Sequence, residues 1–410
     1  MNSARRPPEA AGAAAQIRSL ATPLAGRKDL DPLVVRVAQD RFVCIGEASH
    51  GTHGYYHWRA ELSRRLIGEH GCRWVGVEGD WPDCWRINRW VRGQADQDLD
   101  VYQLLAGFER WPRWMWANEE VAGFLDWLRG WNATRPEADR TGFYGLDVYS
   151  LWDSLREVIS WLQDNAPEAV DAAMEAWQCF MPFGEDPQSY AWSTRLVPDT
   201  CEQDVVDLLM EVRHRTGGQE DDDEAAFSAV CNAEAGAGAE NYYRAMVRGD
   251  RQSWNVRDVH MADTIDRIAG HLGPASKGLV WEHNTHIGDA RATDMADAGM
   301  VNVGQLVRER HAADGVSLIG FASHRGSVIA ADAWGARELV MPVPRARPGS
   351  HEDLLQQALA EPALLVFDGR TGPWLSARLG HRAIGVVYSP RREAGNYVPT
   401  LMGERYDALV

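Results

Sequence analysis

The sequence lacks the features that mark membrane-spanning, exported or nucleic-acid-binding proteins. Its 410 residues contain no apolar run of about eighteen or more, so we expect no membrane span. The first 26 residues lack the apolar stretch of a signal peptide, and we therefore expect a cytoplasmic protein. Lysine is confined to Lys28 and Lys277, and the net charge of −17 argues against a nucleic-acid partner, which needs clustered basic residues.

Cysteine is also sparse, and no Cys-x-x-Cys pair is present. We expect the six scattered cysteines to be reduced thiols and not a disulfide framework. Nearly all the positive charge is arginine, which indicates a GC-rich bacterial genome and carries no information on mechanism.

Short apolar runs recur along the chain, and each of them leads into a polar residue. Helical patterns, notably over 52–69 and 254–271, lie between the runs. Strands that alternate with helices predict an α/β fold of the three-layer α/β/α class, with a mainly parallel sheet and large α-helical insertions. The predicted strands cover residues 41–46, 73–77, 142–146, 278–281, 316–321 and 363–367.

The length and the patterning also predict a domain organisation. We expect a flexible arm over residues 1–26, followed by one large domain over 27–410. Two long intervals with helical patterning, around 82–140 and 151–270, are interpreted as helical insertions on the sheet.

Charged side chains follow several of the predicted strands. Right-handed crossovers bring the carboxyl ends of parallel strands to one edge, where open α/β sheets bind ligands. A polar residue at the end of a single strand is most simply a turn former. Glutamate and histidine are not the usual turn formers, so the set as a whole favours a composite site that contains Glu47, Glu78, Asp147, His283 and His324.

The segment 46–52 places Glu47 three residues before His50 at a strand-to-helix turn. A carboxylate beside an imidazole orients the ring and raises its basicity, as a general base requires, although His50 alone is equally consistent with a helix cap. Ser49 lies in a G-x-x-S-x-G pattern instead of the G-x-S-x-G of a nucleophile elbow, so we expect it to be a small residue at the start of the helix.

A second polar turn contains His283 and His286. Two histidines with glutamates nearby are also a ligand set for zinc or manganese, but the spacing does not match H-E-x-x-H. Arg59 is a candidate to hold a carboxylate or stabilise an oxyanion, and its alternative is an ordinary solvated helix arginine. His53 is interpreted as pocket wall or surface.

Five segments carry a resemblance to a known family. Together they resemble, in the family's order and over roughly residues 30–410, the erythromycin esterase family. The segments are Gly46–Thr52, Val77–Asp83, Gly142–Asp147, Trp254–Asp263 and His283–Arg291.

The resemblance implies an α/β hydrolase that needs no cofactor, with a divalent metal as an option. It implies that His50 activates water, and that the family's macrolide members open a lactone ring while others resemble succinoglycan biosynthesis proteins. Gly54 and Glu282 depart from the family pattern, and we expect both to alter the charge of the pocket. The residues implied around His50 are Glu47, Arg59, Glu78, His283 and His286.

The sequence therefore predicts a hydrolase of a carboxylic ester or lactone in a fairly large, partly apolar small molecule. His283, His286 and Arg59 would stabilise the oxyanion, and Glu78 would orient a histidine or relay a proton. The alternatives are a metal-dependent hydrolase, a serine hydrolase through Ser49, and a natural-product tailoring enzyme. The oligomeric state is not indicated. The predicted substrate-binding residues are His53, Trp81, Asp147 and Arg291.

Overall fold

The buried apolar runs of the sequence form the strands of a mainly parallel sheet in the computed structural model, which describes residues 10–184, 186–195, 200–217 and 223–410. The helices are α1 (Ala10–Leu20), α2 (Asp31–Val37), α3 (His53–His70), α4 (Trp81–Val91), α5 (Val101–Leu105), α6 (Glu119–Ala133), α7 (Leu151–Asn165), α8 (Val170–Phe180), α9 (Pro187–Ser193), α10 (Glu202–Thr216), α11 (Glu224–Met246), α12 (Asp250–His271), α13 (Asn284–Ile287), α14 (Val303–His311), α15 (His351–Ala358) and α16 (Met402–Arg405). The strands are β1 (Ala21–Pro23), β2 (Phe42–Ile45), β3 (Cys72–Asp80), β4 (Gly142–Asp147), β5 (Lys277–Trp281), β6 (Val316–Gly320), β7 (Gly326–Ala330), β8 (Leu339–Val343), β9 (Ala363–Val366), β10 (Arg378–Arg382), β11 (Tyr397–Leu401) and β12 (Ala408–Leu409).

The chain divides into two compact units. The first contains the residues up to 75 together with 91–141 and 277–410, and the second contains 76–90 and 142–276. With helices flanking the mainly parallel sheet, the fold is of the three-layer α/β/α class, as the sequence predicts. None of the helices in the described residues is both long and apolar enough to span a lipid bilayer.

In the first unit the strands follow the order β1, β9, β12, β6, β2, β5. Strands β12, β6, β2 and β5 are parallel neighbours, and β2, which has a partner strand on each side, is buried at every residue, as expected for a parallel strand covered on both faces. Packing is tight enough to require a glycine in β5, since a Cβ atom at Gly278 would lie 2.0 Å from Cζ2 of Trp74. The ring of Trp74, in β3, therefore packs directly against the backbone of β5 at Gly278.

The second unit contains the end of β3, its neighbour β4, and helices α7 to α12, which lie in the interval where the sequence predicts helices. Its core is formed by apolar faces of α7, α8, α10 and α11, including the fully buried Leu155, Val158 and Leu162 of α7. Helical spacing of these three residues puts them on one side of α7, which is the amphipathic pattern of a helix that packs on its neighbours.

All six predicted strands are present, but one of them runs in the unexpected direction. Strand β9 pairs antiparallel with β12, so its carboxyl end lies at the opposite edge from those of β2, β5 and β6. Two antiparallel hairpins, β7–β8 and β10–β11, were not predicted, because their strands are short and only partly buried.

Two further expectations are wrong. The predicted loose arm is ordered over Ala10–Pro23, where α1 is followed by β1, which pairs with β9; residues 1–9 lie outside the described residues. Cys179 and Cys201 form a disulfide, with Cα atoms 5.8 Å apart, while the other four cysteines are reduced and buried. The paired cysteines are 22 residues apart in the chain, a separation that no short spacing motif reveals.

We predict that stability falls in acid through His351, a fully buried histidine whose Nε2 atom lies 3.0 Å from the Thr400 carbonyl oxygen. Burial lowers the pKa of His351 to about 4 from its usual value near 6.5. Between these values the unfolded chain binds a proton that the folded chain excludes, so stability is lost as the pH falls, by about 3 kcal/mol in all. Urea unfolding of wild type and His351→Gln at pH 7 and pH 4 measures this loss. The prediction is contradicted if the difference in the free energy of unfolding between wild type and variant is the same at both pH values.

Candidate active site

The turn over residues 46–52, between β2 and α3, is held in place by backbone hydrogen bonds to four different segments of the first unit. It lies at the carboxyl end of a buried parallel strand, the position at which α/β sheets bind ligands. The bonds run from Gly46 N to Ile319 O (2.8 Å), from Asn284 N to Glu47 O (2.8 Å), from Ile384 N to Ala48 O (2.8 Å) and from Ile329 N to Gly51 O (2.9 Å).

Glu47 and His50 form a buried carboxylate–imidazole pair within this turn. Nδ1 of His50 lies 3.0 Å from Oε1 of Glu47, and the two residues are 6% and 1% exposed. A carboxylate oxygen can only accept a hydrogen bond, so Nδ1 of His50 carries the hydrogen and donates a hydrogen bond to Glu47. The neutral ring then presents an unprotonated Nε2, which is the form that a general base requires.

Arg59 of α3 contacts the other oxygen of Glu47, at 3.5 Å from Nη2 to Oε2. Its side chain is fully buried, and its guanidinium carbon lies 4.5 Å and 4.9 Å from the ring centres of Tyr56 and Trp281. The solvated-helix alternative is therefore wrong for Arg59. The geometry also favours a role in holding Glu47 over direct contact with a substrate oxyanion, because the guanidinium is enclosed by protein.

His283 begins α13 directly after β5, and its ring lies 4.8 Å from that of His50, centre to centre. Its Nδ1 atom is 2.8 Å from the Thr285 hydroxyl and 3.3 Å from the Thr285 backbone nitrogen; the backbone nitrogen can only donate, and the hydroxyl can donate to the same atom. The neutral ring therefore accepts at Nδ1 and carries its proton on Nε2, the reverse of His50. His286 is buried in the same short helix, with its backbone nitrogen bonded to the carbonyl of His283.

Ser49 is placed differently from a catalytic serine. Its hydroxyl is 2.5 Å from that of Thr52, and its backbone forms a bridge with Ile384. In the described part of the chain this hydroxyl pairs with another hydroxyl and not with an imidazole. The structure therefore agrees with the interpretation of Ser49 as a small residue at the start of the helix.

The second unit has its own buried charged group, centred on Arg257 of α12. Both oxygens of Asp147 accept from Arg257, at 2.9 Å and 2.7 Å, and Oε1 of Glu78 accepts at 2.8 Å. Burial alone would lower the pKa of Arg257, but the Asp147 and Glu78 carboxylates and Tyr149 raise it well above its ordinary value. Arg257 is thus a permanent cation that fixes two of the predicted site residues.

Sequence reasoning missed Arg257 as a site residue. It lies inside the quoted segment Trp254–Asp263, but a single arginine in a polar helix gave no sign of its partners, which are 110 and 179 residues away in the chain. The available signal was the pair of carboxylates predicted at strand ends, since two buried acids require a cation between them.

Two of the predicted substrate-binding residues, Trp81 and Arg291, have other surroundings, while His53 lies beside a cavity. Trp81 is buried in an aromatic cluster with Trp85 and Tyr144, at ring-centre distances of 5.7 Å and 5.9 Å. Both oxygens of Asp289 accept from Arg291, so this arginine stabilises its own turn. His53 is 75% exposed, pairs with Glu120 and is one of the residues that line a cavity of about 420 Å³, which agrees with its interpretation as pocket wall or surface.

Glu282 and His324 are two further residues that the sequence analysis singles out. Glu282 follows β5, is fully buried and lines neither of the two cavities described below; its effect on the charge of the pocket stays a prediction. His324 follows β6 and lines a cavity of about 380 Å³. Burial, together with the positive charge of Arg382, lowers the pKa of His324.

Two cavities of the first unit border the segment that follows His50. One, of about 420 Å³, is lined by Ser49, Thr52, His53, Arg325 and Ser327 and by apolar residues of the β7–β8 hairpin. The other, of about 380 Å³, is mainly apolar and is lined by Trp58, Phe321, Leu355 and Leu359 among others. Space for an amphipathic small molecule therefore exists close to the Glu47–His50 turn.

Fold and site together define an α/β protein with a carboxylate-oriented histidine at the carboxyl ends of parallel strands, an arrangement suited to general-base chemistry. The chain belongs to the erythromycin esterase family, whose profile matches residues 67–410. This match begins after Arg59, so the Glu47–His50 turn lies outside it.

Solved structures resemble the chain over almost its whole length. A succinoglycan biosynthesis protein is 21% identical, with 97% of this chain and 95% of that chain covered and a TM-score of 0.77. A Bacillus cereus protein is 18% identical, with 98% and 97% covered and a TM-score of 0.79. A mutant of the erythromycin esterase EreC in its open conformation is 17% identical, with 97% and 95% covered and a TM-score of 0.68. At these identities the likeness shows the fold.

We predict that Arg59→Met destabilises the protein by about 3 kcal/mol, because it leaves the buried Glu47 carboxylate without its cation. Urea unfolding measures the change. Arg156→Met, which removes an ion pair with Asp153 in which both side chains are about half exposed, is the control and should cost less than about 1 kcal/mol. Adding Glu47→Gln to Arg59→Met should recover part of the loss, and a strictly additive double variant would contradict the pairing.

Proposed function

We propose that this protein hydrolyses a carboxylic ester or lactone of a fairly large, partly apolar small molecule, with His50 as the base that activates water. The observation that supports this most directly is a close pair of imidazoles whose Nδ1 atoms have different partners, a carboxylate for His50 and a backbone N–H for His283. His50 presents an acceptor at Nε2, while His283 carries a proton on Nε2, and the ring centres are 4.8 Å apart. One ring can take a proton from water while the other donates to the carbonyl oxygen.

In the proposed reaction, Nε2 of His50 removes a proton from water as the water oxygen bonds to the carbonyl carbon. The π electrons of the carbonyl move to its oxygen, which accepts a hydrogen bond from Nε2–H of His283. The C–O bond to the alcohol then breaks, and the His50 imidazolium returns its proton to the leaving alkoxide. Glu47 stabilises that imidazolium, and Arg59 holds Glu47 in place.

The family and the cavities support the substrate class. The chain belongs to the erythromycin esterase family, and two cavities border the turn, one lined partly by serine and threonine residues and the other mainly apolar. Macrolide lactones are therefore one class to test, beside other amphipathic esters. The reaction needs no cofactor in this proposal, and we place it in the cytoplasm without a nucleic-acid or membrane partner. The predicted roles of Glu78 and His286 stay predictions.

We predict that His50→Ala lowers kcat for ester cleavage by about two to four orders of magnitude, because the base is lost. Cleavage of a panel of lactones and 4-nitrophenyl esters measures it, with circular dichroism to check the fold. His57→Ala is the matched control, since His57 is an exposed histidine of the neighbouring helix α3 that lines neither of the two cavities, and it should retain activity. Normal turnover by His50→Ala would falsify the proposed role.

A natural-product tailoring reaction with the same base is the second candidate, and the likeness to a solved succinoglycan biosynthesis protein is the observation in its favour. Turnover in ¹⁸O-labelled water separates the two. Hydrolysis places one labelled oxygen in the acid product, whereas acyl transfer to another alcohol or elimination places none. A fluorophosphonate probe tests the serine alternative, and we expect Ser49 to stay unlabelled because its hydroxyl pairs with Thr52.

Metal dependence is the remaining alternative, and it has a clear prediction. Nδ1 of His50 and Nδ1 of His283 are both engaged in hydrogen bonds, so only their Nε2 atoms could bind an ion. We expect that dialysis against a chelator leaves kcat unchanged within about twofold, since the two imidazoles supply the base and the donor. Loss of activity that returns with zinc or manganese would favour the metal-dependent hydrolase.

A further inference from the structure

A second buried carboxylate–imidazole pair lies in the first unit, outside the residues assigned to the reaction. Oε1 of Glu352, in the first turn of α15, is 2.7 Å from Nδ1 of His381 in β10. The same oxygen accepts the backbone N–H of Arg382 at 2.8 Å. Both side chains are essentially unexposed, at 1% or less. The pair is therefore built into the protein interior.

Hydrogen bonds fix which nitrogen of His381 carries the proton. Its Nε2 lies 3.3 Å from Nδ2 of Asn284. The Asn284 amide cannot be turned round, because its oxygen accepts the backbone N–H of Phe321 at 3.2 Å while its nitrogen donates to the Phe321 carbonyl at 2.8 Å. Nε2 of His381 must therefore accept, and Nδ1 donates to Glu352. Burial lowers the pKa of His381 despite the neighbouring carboxylate, which keeps the ring neutral.

Asn284 links the two turns of the candidate site, the one with Glu47 and His50 and the one that begins at His283. It follows His283 in the chain, and its backbone nitrogen donates to the carbonyl of Glu47 at 2.8 Å. Its side-chain oxygen packs so closely on Gly46 that a Cβ atom there would lie 2.2 Å away. A small displacement of Asn284 would thus move both the turn that carries Glu47 and the turn that begins at His283.

We infer that Glu352 and His381 are positioning residues that act through Asn284 to hold the two active-site turns in register. Glu352 orients His381, His381 accepts from the Asn284 amide, and Asn284 sets the distance between the Glu47–His50 pair and His283. The inference rests on the proposed function only in taking His50 and His283 as the reacting groups. Glu352 is also one of the residues that line the cavity of about 380 Å³, but in this inference it acts through His381 and Asn284 and not by contact with a substrate.

His381→Asn tests the connection selectively. The shorter amide nitrogen lies near the position of Nδ1 and can still donate to Glu352, but no atom remains where Nε2 accepts from Asn284. We expect the amide hydrogens of Asn284 and Phe321 to exchange with solvent about tenfold faster, as for the loss of one hydrogen bond. We also expect kcat for the best ester to fall about tenfold, with KM changed by less than about twofold.

The chain offers a matched control and a rescue. His351 is as buried as His381, its ring is 6.2 Å away, and its Nε2 also bonds to a single partner, the Thr400 carbonyl, at 3.0 Å. His351→Asn makes the same chemical change without touching Asn284, so it should destabilise the protein but leave both amides and kcat unchanged. His381→Gln places an amide oxygen near the Nε2 position, and it should restore slow exchange.

The outcomes separate this inference from the proposed function. Faster exchange of the two amides in His381→Asn, but not in His351→Asn, supports the positioning role even if the wild type cleaves none of the esters, which would count against the proposed function alone. Unchanged exchange in His381→Asn overturns the positioning role whatever the activity. Equal acceleration in both variants also overturns it, because a general loss of stability would then explain the effect.

Discussion

The parallel pairing of strands β2 and β5 is the constraint on which the site in the first unit depends. Ile45 lies opposite Trp281 in this pair, so both strands end at the same edge of the sheet. The turn with His50 and the turn that begins at His283 therefore leave the sheet side by side. A shift of one residue would send the side chains of a strand to the opposite face, so the buried sheet fixes the alignment of the two turns.

Both units keep charged groups away from water, and packing alone does not explain why. Arg59 is fully buried against Glu47, and Arg257 holds Asp147 and Glu78 in the second unit. Apolar residues of similar volume often serve stability as well or better, because they avoid the desolvation of ions. What a buried ion pair adds is a fixed position and a fixed charge for each carboxylate. Groups that must orient an imidazole need both of these properties.

The sequence predicts local features of this protein better than distant pairings. Buried runs with polar ends predict the six strands and the Glu47–His50 turn, because both depend on neighbouring residues. The helical spacing of Tyr55, Arg59 and Leu62 also indicates that Arg59 shares a face of α3 with two apolar residues, and all three are buried in the structure. By contrast, the antiparallel direction of β9 depends on its pairing with β12, and Arg257 contacts Glu78 from 179 residues away in the chain. Only the assembled fold defines both features.

The partner of one ring nitrogen sets the tautomer of a buried histidine, and His50, His283 and His381 of the first unit illustrate this rule. A carboxylate at Nδ1 leaves Nε2 as an acceptor in His50 and in His381. A backbone N–H at Nδ1 leaves Nε2 as a donor in His283. A neutral imidazole has one donor and one acceptor, so fixing either fixes the other. The chemical difference between two adjacent histidines thus follows from Glu47 and from the backbone of one short turn.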